Sequence, residues 1–328
     1  MRVSWCQLLL GLLLAVVPLA AGATLAPAGD DKVEVAAGGV LFAPHASLVV
    51  AQQELRIGPD SIHVEYALRN IDDTVRTYQL TVPLPDLDTQ AYGQSIDLPR
   101  LDPANFVAAS LEVDRVPVVP QVEQRAIALG LDVSEVLTKQ GLPLFPYAAG
   151  LRERLAALPD AVKRDFEERG ILHVDDERVD PYWTLKTVLH WRQRIAPSQT
   201  VRIVLGYTPI VGRAVADAET VAARERSHCI DSRAAAAMQA PASRAVAGGA
   251  ASGGPSTKRQ MRLVGYNLST GQVLPGAIAS FRLIIEKPDD HTIVALCREG
   301  LAVTGARSLE WTASDYWPDD DLHVLFVR

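Results

Sequence analysis

The chain contains seven histidines and three acidic clusters, the residue types that most often bind metals or transfer protons. The histidines occupy positions 45, 63, 173, 190, 228, 291 and 323. No two of them have the His-x-His or His-Glu-x-x-His spacing that holds zinc from one strand or helix. The acidic clusters are Asp175-Asp176-Glu177, Asp289-Asp290 and Asp319-Asp320-Asp321, and none has the alternating spacing and turn glycine of an EF-hand loop. We therefore expect polar turns at these clusters, and no metal or other cofactor.

Local catalytic motifs are also missing from the sequence. It has no Gly-x-Ser-x-Gly elbow, no Ser-x-x-Lys motif and no phosphate-binding glycine loop. A hydrolase whose site is assembled from separated His, Asp and Ser residues stays open, with His63 and His190 as the histidines to inspect. The sequence as a whole favours a non-enzymatic protein, with no catalytic residue to name.

Two cysteines, Cys229 and Cys297, lie outside the first 23 residues. In an exported protein such a pair favours one disulfide. The loop that it would close spans 68 residues, for which chain entropy gives on the order of 4 kcal/mol of stabilisation. The alternative is a reactive thiol at Cys229, which sits in Ser227-His228-Cys229-Ile230-Asp231. Because adjacent residues rarely orient a base toward a nucleophile, the disulfide is the favoured interpretation.

Three aromatic residues form a candidate ligand platform. Trp183 and Trp191 fall on the same face of an alternating run, and Tyr182 lies beside them. Aromatic faces stack on sugars and peptides, but they also bury large apolar areas in protein cores. The spacing of eight residues on an otherwise apolar face favours a place in the core for both tryptophans, with the platform as the alternative.

The N-terminus has the pattern of a secretory signal peptide. Arg2 precedes an apolar stretch from Leu8 to Leu19, and Ala21-Gly22-Ala23 supplies the small residues at which a signal peptidase cuts. The stretch is too short for a transmembrane helix, and no later run is long enough to span a bilayer. We expect cleavage after Ala23 and a periplasmic or secreted protein that is not membrane-spanning after cleavage.

Composition limits the partners that this chain is suited to bind. The 328 residues carry a formal net charge of −7, and 48% of them are hydrophobic, enough for a substantial core. A mildly acidic balance argues against nucleic acid or an anionic membrane as the main partner. An envelope protein or a small ligand remains the expected partner.

Alternating hydrophobicity dominates the first half of the chain. Residues 61–69 and 74–82 alternate, and Asn70-Ile71-Asp72-Asp73 between them has turn chemistry, so the pattern predicts a hairpin. Residues 107–113 and 116–127 predict further strands. From Asp132 to Arg169 the apolar residues recur every three or four positions with Gly and Pro between them, which predicts three short helices.

Strands return in the second half of the chain. Trp183–Arg192 and 200–208 are predicted to pair through the turn Ala196-Pro197-Ser198-Gln199. Residues 234–258 are rich in Ala, Gly and Ser and predict a flexible loop. Later strands are expected at 261–268, 279–286, 292–297, 308–312 and 322–327.

These segments, in this order, resemble one bacterial exported family, catalogued as domain of unknown function 4424. The stretches that carry the resemblance are Ala36-Ala37-Gly38-Gly39-Val40-Leu41-Phe42, Val82-Pro83-Leu84-Pro85-Asp86, Gly141-Leu142-Pro143-Leu144, Trp183-Thr184-Leu185-Lys186-Thr187, Gly206-Tyr207-Thr208-Pro209-Ile210-Val211-Gly212 and Phe281-Arg282-Leu283-Ile284-Ile285. The resemblance implies a bacterial envelope location and a β-rich fold. It implies no activity and no catalytic residue.

The sequence thus predicts a mainly β protein, in which antiparallel sheets pack as a sandwich-like unit with a small α-helical insertion. Its segments are a signal peptide (1–23), an N-terminal antiparallel β region (24–127), the helical insertion (128–180), a β hairpin and connector (181–233), the flexible loop (234–258) and a C-terminal β region (259–328). We expect one intertwined domain that serves as a binding or structural module of the envelope.

Overall fold

The computed structural model describes residues 35–42, 47–92, 96–175, 178–241, 258–268, 276–318 and 320–328. The predicted signal peptide and residues 242–257 of the predicted loop lie outside these ranges. Within them, no helix is both long and apolar enough to cross a membrane.

The strands are β1 Ala37–Gly38, β2 Leu41–Phe42, β3 Leu48–Ile57, β4 Ile62–Asn70, β5 Arg76–Pro83, β6 Leu87–Asp88, β7 Ser110–Val113, β8 Val116–Pro117, β9 Gln121–Ala128, β10 Leu131–Asp132, β11 Leu172–Asp175, β12 Arg178–Pro181, β13 Thr184–Ile195, β14 Thr200–Tyr207, β15 Gly212–Val215, β16 Gln260–Asn267, β17 Ile278–Glu286, β18 Ile293–Ala295, β19 Ala302–Gly305, β20 Ser308–Tyr316 and β21 Leu322–Val327. The helices are α1 Thr89–Tyr92, α2 Ser134–Lys139, α3 Leu151–Ala156, α4 Asp160–Glu168, α5 Ala218–His228 and α6 Ser232–Gln239.

The described strands form three large sheets and one two-stranded sheet, β11-β12. The largest has the strand order β19-β20-β17-β3-β4-β14-β7-β8. A six-stranded sheet runs β10-β9-β13-β5-β2 with β6 also paired to β13, and a five-stranded sheet runs β1-β16-β21-β18 with β15 on β16. Their apolar faces meet in one core, to which Leu68, Leu80 and Phe326 contribute from the three sheets in turn. The expected mainly β, sandwich-like fold with a helical insertion is confirmed.

Neither of the two predicted hairpins forms. β4 pairs with β3 and β14 in the eight-stranded sheet, whereas β5 pairs with β13 and β2 in the six-stranded sheet. Likewise β13 and β14 lie in different sheets. The turns at 71–75 and 196–199 therefore carry the chain across the sandwich. Alternation specifies which face of a strand is buried, and an arch between two facing sheets satisfies it as well as a hairpin does.

The segment from Val35 to Phe42 is anchored by buried tyrosines. Tyr66 accepts a hydrogen bond from Val40 N at 3.1 Å, and Tyr207 donates to Ala37 O at 3.4 Å. A Cβ at Gly39 would overlap the Tyr66 hydroxyl and lie 2.6 Å from the hydroxyl oxygen of Tyr266. Glycine is therefore required at position 39 by this close approach.

Two smaller cores flank the main one. In the first, the three helices of the insertion pack over Trp183 and the end of β9, with Leu137, Leu155 and Phe166 buried. In the second, α5 and α6 cover the five-stranded sheet. Residues 234–239, predicted as the start of the flexible loop, instead belong to α6. The Asp231 side chain caps this helix by accepting from Ala234 N at 2.7 Å, and the alanines that follow favour helix.

Candidate functional site

The candidate site lies where the two large sheets stop covering each other. β13 pairs with β9 only as far as His190 opposite Gln121, so Trp191–Ile195 has no strand on that side in the described structure. On the inner face, Trp191 lies beside Leu80 of β5, and Leu189 lies beside Val82. Facing them across the sandwich are Leu205 of β14 and Leu111 of β7, which are paired with one another.

Two loops close this end of the sandwich. The first loop precedes β7 and contains Pro103, Asn105 and Ala109. Asn105 holds it by donating to Ala109 O at 2.9 Å and accepting from Ala109 N at 2.6 Å. Gln124 of β9 donates to Pro103 O at 2.6 Å and so fixes the same loop to the six-stranded sheet. The second loop, 118–120, carries the chain from β8 to β9 and begins with Val118 N bonded to Leu111 O at 2.9 Å. Both loops are therefore held by hydrogen bonds.

Between these loops and the sheets is a largely apolar cavity of about 290 Å³, which we call the Trp191 cavity. It is lined by Val82, Ala104, Asn105, Ala109, Ser110, Leu111, Val118, Val119, Pro120, Val122, Leu189, Trp191 and Leu205. Val119 and Val122 are exposed at its rim. Concave, mostly apolar cavities with a few polar groups are the usual form of small-molecule sites.

Trp191, in the wall of this cavity, has a buried polar atom without a partner in the described structure. Its side chain is 7% exposed, and its Nε1–H has no hydrogen-bond partner in the described part of the protein. Buried tryptophans usually donate this hydrogen, and a buried donor without an acceptor costs about 1–3 kcal/mol.

A second, more polar cavity of about 430 Å³ adjoins the first, and we call it the Arg192 cavity. The two share Val119 and Trp191, and the second is also lined by Gln79, Gln121, His190 and Arg192. Gln79 Nε2 and His190 Nδ1 are 3.1 Å apart. The two cavities together present an apolar compartment beside a polar one.

The structure separates the three residues of the predicted platform. Trp183 is fully buried and donates from Nε1 to Leu144 O at 2.7 Å, as a core residue does. Tyr182 is 36% exposed and lies with His173 in a separate cavity of about 160 Å³, beside an ion pair between Arg152 and Asp180. Trp191 lines the larger apolar cavity described above, and neither Tyr182 nor Trp183 is among its lining residues. A shared strand face did not bring them together, because eight residues of strand span about 26 Å.

The predicted disulfide is confirmed. Cys229 and Cys297 are joined, with Cα atoms 5.0 Å apart. Cys229 ends α5 in the left-handed conformation, at φ 51°. The bond ties this helix to the loop after β18, so neither sulfur is a free thiol.

The two histidines considered for a hydrolase, His63 and His190, contact a glycine and an amide side chain, respectively. His190 contacts the amide of Gln79, and His63 packs against Gly206. Ser227 and His228, adjacent in sequence, are bonded at 3.0 Å, and the His228 ring lies against that of His323. His45 lies outside the described residues. Among those residues, no group of three or more His, Cys, Asp or Glu side chains is placed to hold a metal.

One of the acidic clusters forms the polar turn that was expected. Asp289 Oδ1 accepts from the backbone nitrogens of His291 and Thr292 at 3.0 and 2.8 Å. Desolvation raises the pKa of Asp289, but the hydrogen bonds from Thr292 and the charge of Arg328 outweigh it and hold this pKa below its usual value. Asp176, Glu177 and Asp319 lie outside the described residues.

The sequence did not indicate the loops that close the Trp191 cavity. Residues 116–127 were predicted to form one strand, but the chain breaks between β8 and β9. Pro117 and Pro120 are the signal that could have located this break, since proline cannot donate to a sheet.

The chain matches a protein-family model and has a distant likeness to solved structures. The family model of a domain of unknown function, DUF4424, matches residues 28–325. No curated protein matches the chain. A crystal structure from Legionella pneumophila, of a "putative nutrient binding protein", is 15% identical, with a TM-score of 0.48 over 91% of this chain and 72% of that one. An M1 zinc metallopeptidase from Deinococcus radiodurans is 9% identical, with a TM-score of 0.22 over 85% and 42%. Neither structural likeness is close enough to carry an inference about function.

Proposed function

Because the chain belongs to the DUF4424 family, whose function is unknown, we propose its role from the site itself: it is a non-enzymatic module that binds a small apolar molecule in the Trp191 cavity. The observation that carries the proposal is the largely apolar cavity of about 290 Å³, with Trp191 in its wall and Asn105 and Ser110 as its polar side chains. Apolar surface supplies the binding free energy, and a few polar groups orient the ligand.

The rigidity of the cavity supports this role. Asn105 and Gln124 hold its covering loop through three hydrogen bonds to backbone atoms. A site that is formed before the ligand arrives loses little conformational entropy on binding. Its floor is the core of the sandwich, where Leu205 and Leu111 pack.

We also propose that the protein acts in the bacterial periplasm after cleavage behind Ala23. The disulfide between Cys229 and Cys297 supports an oxidising compartment. Sequencing the N-terminus of protein recovered from the periplasm tests this proposal. A mature chain that begins at Thr24 is expected, and an uncleaved Met1 in the cytoplasmic fraction would contradict it.

Binding of 1-octanol, measured by calorimetry, tests the cavity. The wild-type protein is expected to bind with a dissociation constant below about 1 mM, which corresponds to about 4 kcal/mol. Ala109→Phe and Val122→Phe each place a ring in the cavity or its mouth and are expected to abolish binding. Ala302→Phe adds the same ring on exposed strand β19 and should leave binding unchanged.

Two results would overturn the proposal. One is a wild-type protein that takes up no octanol. The other is binding that survives in both cavity variants while their circular dichroism and melting temperature match the wild type. Two variants at different walls are used so that a folding defect in one does not decide the question.

A further inference from the structure

Among the described residues, those that line the Arg192 cavity offer hydrogen-bond donors and include no carboxylate. Its polar side chains are those of Gln79, Gln121, His190 and Arg192, and its other residues are Val119 and Trp191. Arginine can only donate, the two amides can donate, and a neutral histidine donates from one nitrogen. A lining of this kind matches an acceptor-rich group.

Gln79 contacts the ring of His190 in this cavity. Gln79 Nε2 lies 3.1 Å from Nδ1 of the ring, within hydrogen-bond distance. His190 and Arg192 lie two residues apart on the same strand face.

The charge around this cavity is positive although the chain as a whole is acidic. Arg192 is exposed and has no ion pair in the described structure, and Arg194 follows it on the same face. Lys186, further along that face, pairs with Asp86, and Arg125 on the neighbouring strand pairs with Glu123. In a protein of net charge −7, the uncompensated cations at 192 and 194 attract an anion locally.

We propose that the ligand is an amphipathic carboxylate, with its apolar part in the Trp191 cavity and its carboxylate at Arg192 and His190 in the Arg192 cavity. This inference rests on the proposed function. Val119 and Trp191 line both cavities, with Trp191 on the inner face of β13 and Arg192 on its outer face. In this proposal the molecule therefore passes around the edge of β13 that, in the described structure, has no partner strand beyond Gln121. The planar guanidinium of Arg192 suits a carboxylate, because it forms two parallel hydrogen bonds with it.

The test compares octanoate with 1-octanol, which differ in head group and share the chain. Calorimetry at pH 7.5, where octanoate is ionised, is expected to show octanoate binding about fivefold more tightly than octanol, as one screened ion pair supplies. Arg192→Gln should remove this advantage and leave octanol affinity unchanged. Arg194→Gln is the matched control, because it removes the same charge from the same strand face outside the cavity, and it should keep most of the preference.

Each outcome assigns the failure to one proposal. If octanol binds in a manner sensitive to Ala109→Phe but octanoate binds no more tightly, the carboxylate inference is overturned and the apolar site stands. The carboxylate inference is also overturned if Arg194→Gln lowers octanoate affinity as much as Arg192→Gln does, because general attraction would then explain the preference. If neither molecule binds, both proposals fail.

Discussion

The hydroxyl of Tyr78 donates to Oδ1 of Asn70 at 2.9 Å and so joins the two facing sheets at their crossover. Asn70 ends β4 and is fully buried, and its Nδ2 donates to Thr74 O and Ile195 O at 2.9 and 3.1 Å. One side chain therefore holds both turns that carry the chain between the sheets. Ser47 completes the cluster with a hydroxyl 3.0 Å from that of Tyr78.

Asn70→Ala is expected to destabilise the protein by about 3 kcal/mol, because it removes the bonds to both turns and leaves the buried Ile195 carbonyl and the Tyr78 hydroxyl without this partner. Tyr78→Phe removes a single hydroxyl and should cost about 1 kcal/mol. Urea unfolding followed by circular dichroism measures both. Equal costs for the two variants would show that Asn70 does not hold the second turn.

Gly39→Ala is expected to cost about 2 kcal/mol, because the new methyl group overlaps the Tyr66 hydroxyl in a packed core. Adding Tyr66→Phe removes that hydroxyl, so the double variant should be about 1 kcal/mol more stable than the sum of the single costs predicts. Gly276→Ala is the control, since no atom lies within 4 Å of its added carbon. Additive costs in the cycle would contradict the close approach.

Stability is expected to fall in alkali because of the buried tyrosines. Burial raises the pKa of Tyr66 to about 12, against a bond from Tyr266 that lowers it, and burial raises the pKa values of Tyr207 and Tyr266 well above their ordinary value. Their neutral forms contribute stability that is complete below pH 10, where the unfolded chain is also protonated. It is lost as the pH rises from 10 to 12, because the unfolded chain then releases protons that the folded protein keeps.

Each such tyrosine adds about 1.4 kcal/mol per pH unit to this loss. Unfolding in urea at pH 9, 10 and 11 should therefore show a shallower decline for Tyr66→Phe than for the wild type. Tyr182→Phe, at a partly exposed site, should retain the wild-type decline. A Tyr66→Phe protein as sensitive to alkali as the wild type would disprove the contribution of Tyr66.

Removing the disulfide with Cys229→Ala and Cys297→Ala is expected to lower the free energy of unfolding by up to about 4 kcal/mol, since a loop of 68 residues is no longer closed in the unfolded chain. Dithiothreitol should lower the wild-type melting temperature to the same extent. The double variant should not respond to the reductant. A fall in the melting temperature of the double variant in dithiothreitol would show that the reductant destabilises the protein by a route other than this disulfide.

The sequence by itself determined the mainly β class, the helical insertion, the buried faces of several strands and the cysteine pair, but it did not indicate α5 and it placed most of α6 in a loop. Alternation in residues 62–70 and 184–195 marked the inner faces correctly, because burial of one strand face requires a period of two. The family resemblance carried by the ordered segments is likewise confirmed over residues 28–325.

Only the tertiary structure decided which strands pair and where the cavities lie. The turn after Asn70 suits either a hairpin or an arch, and the choice depends on Ile195, 125 residues away. In the same way, Trp183 and Trp191 lie on the same strand face. The helices of the insertion cover Trp183, whereas Trp191 lies just beyond the point where the pairing of β13 with β9 ends. Local sequence specifies a surface to bury, and the partner that buries it, or leaves it open to a ligand, comes from distant parts of the chain.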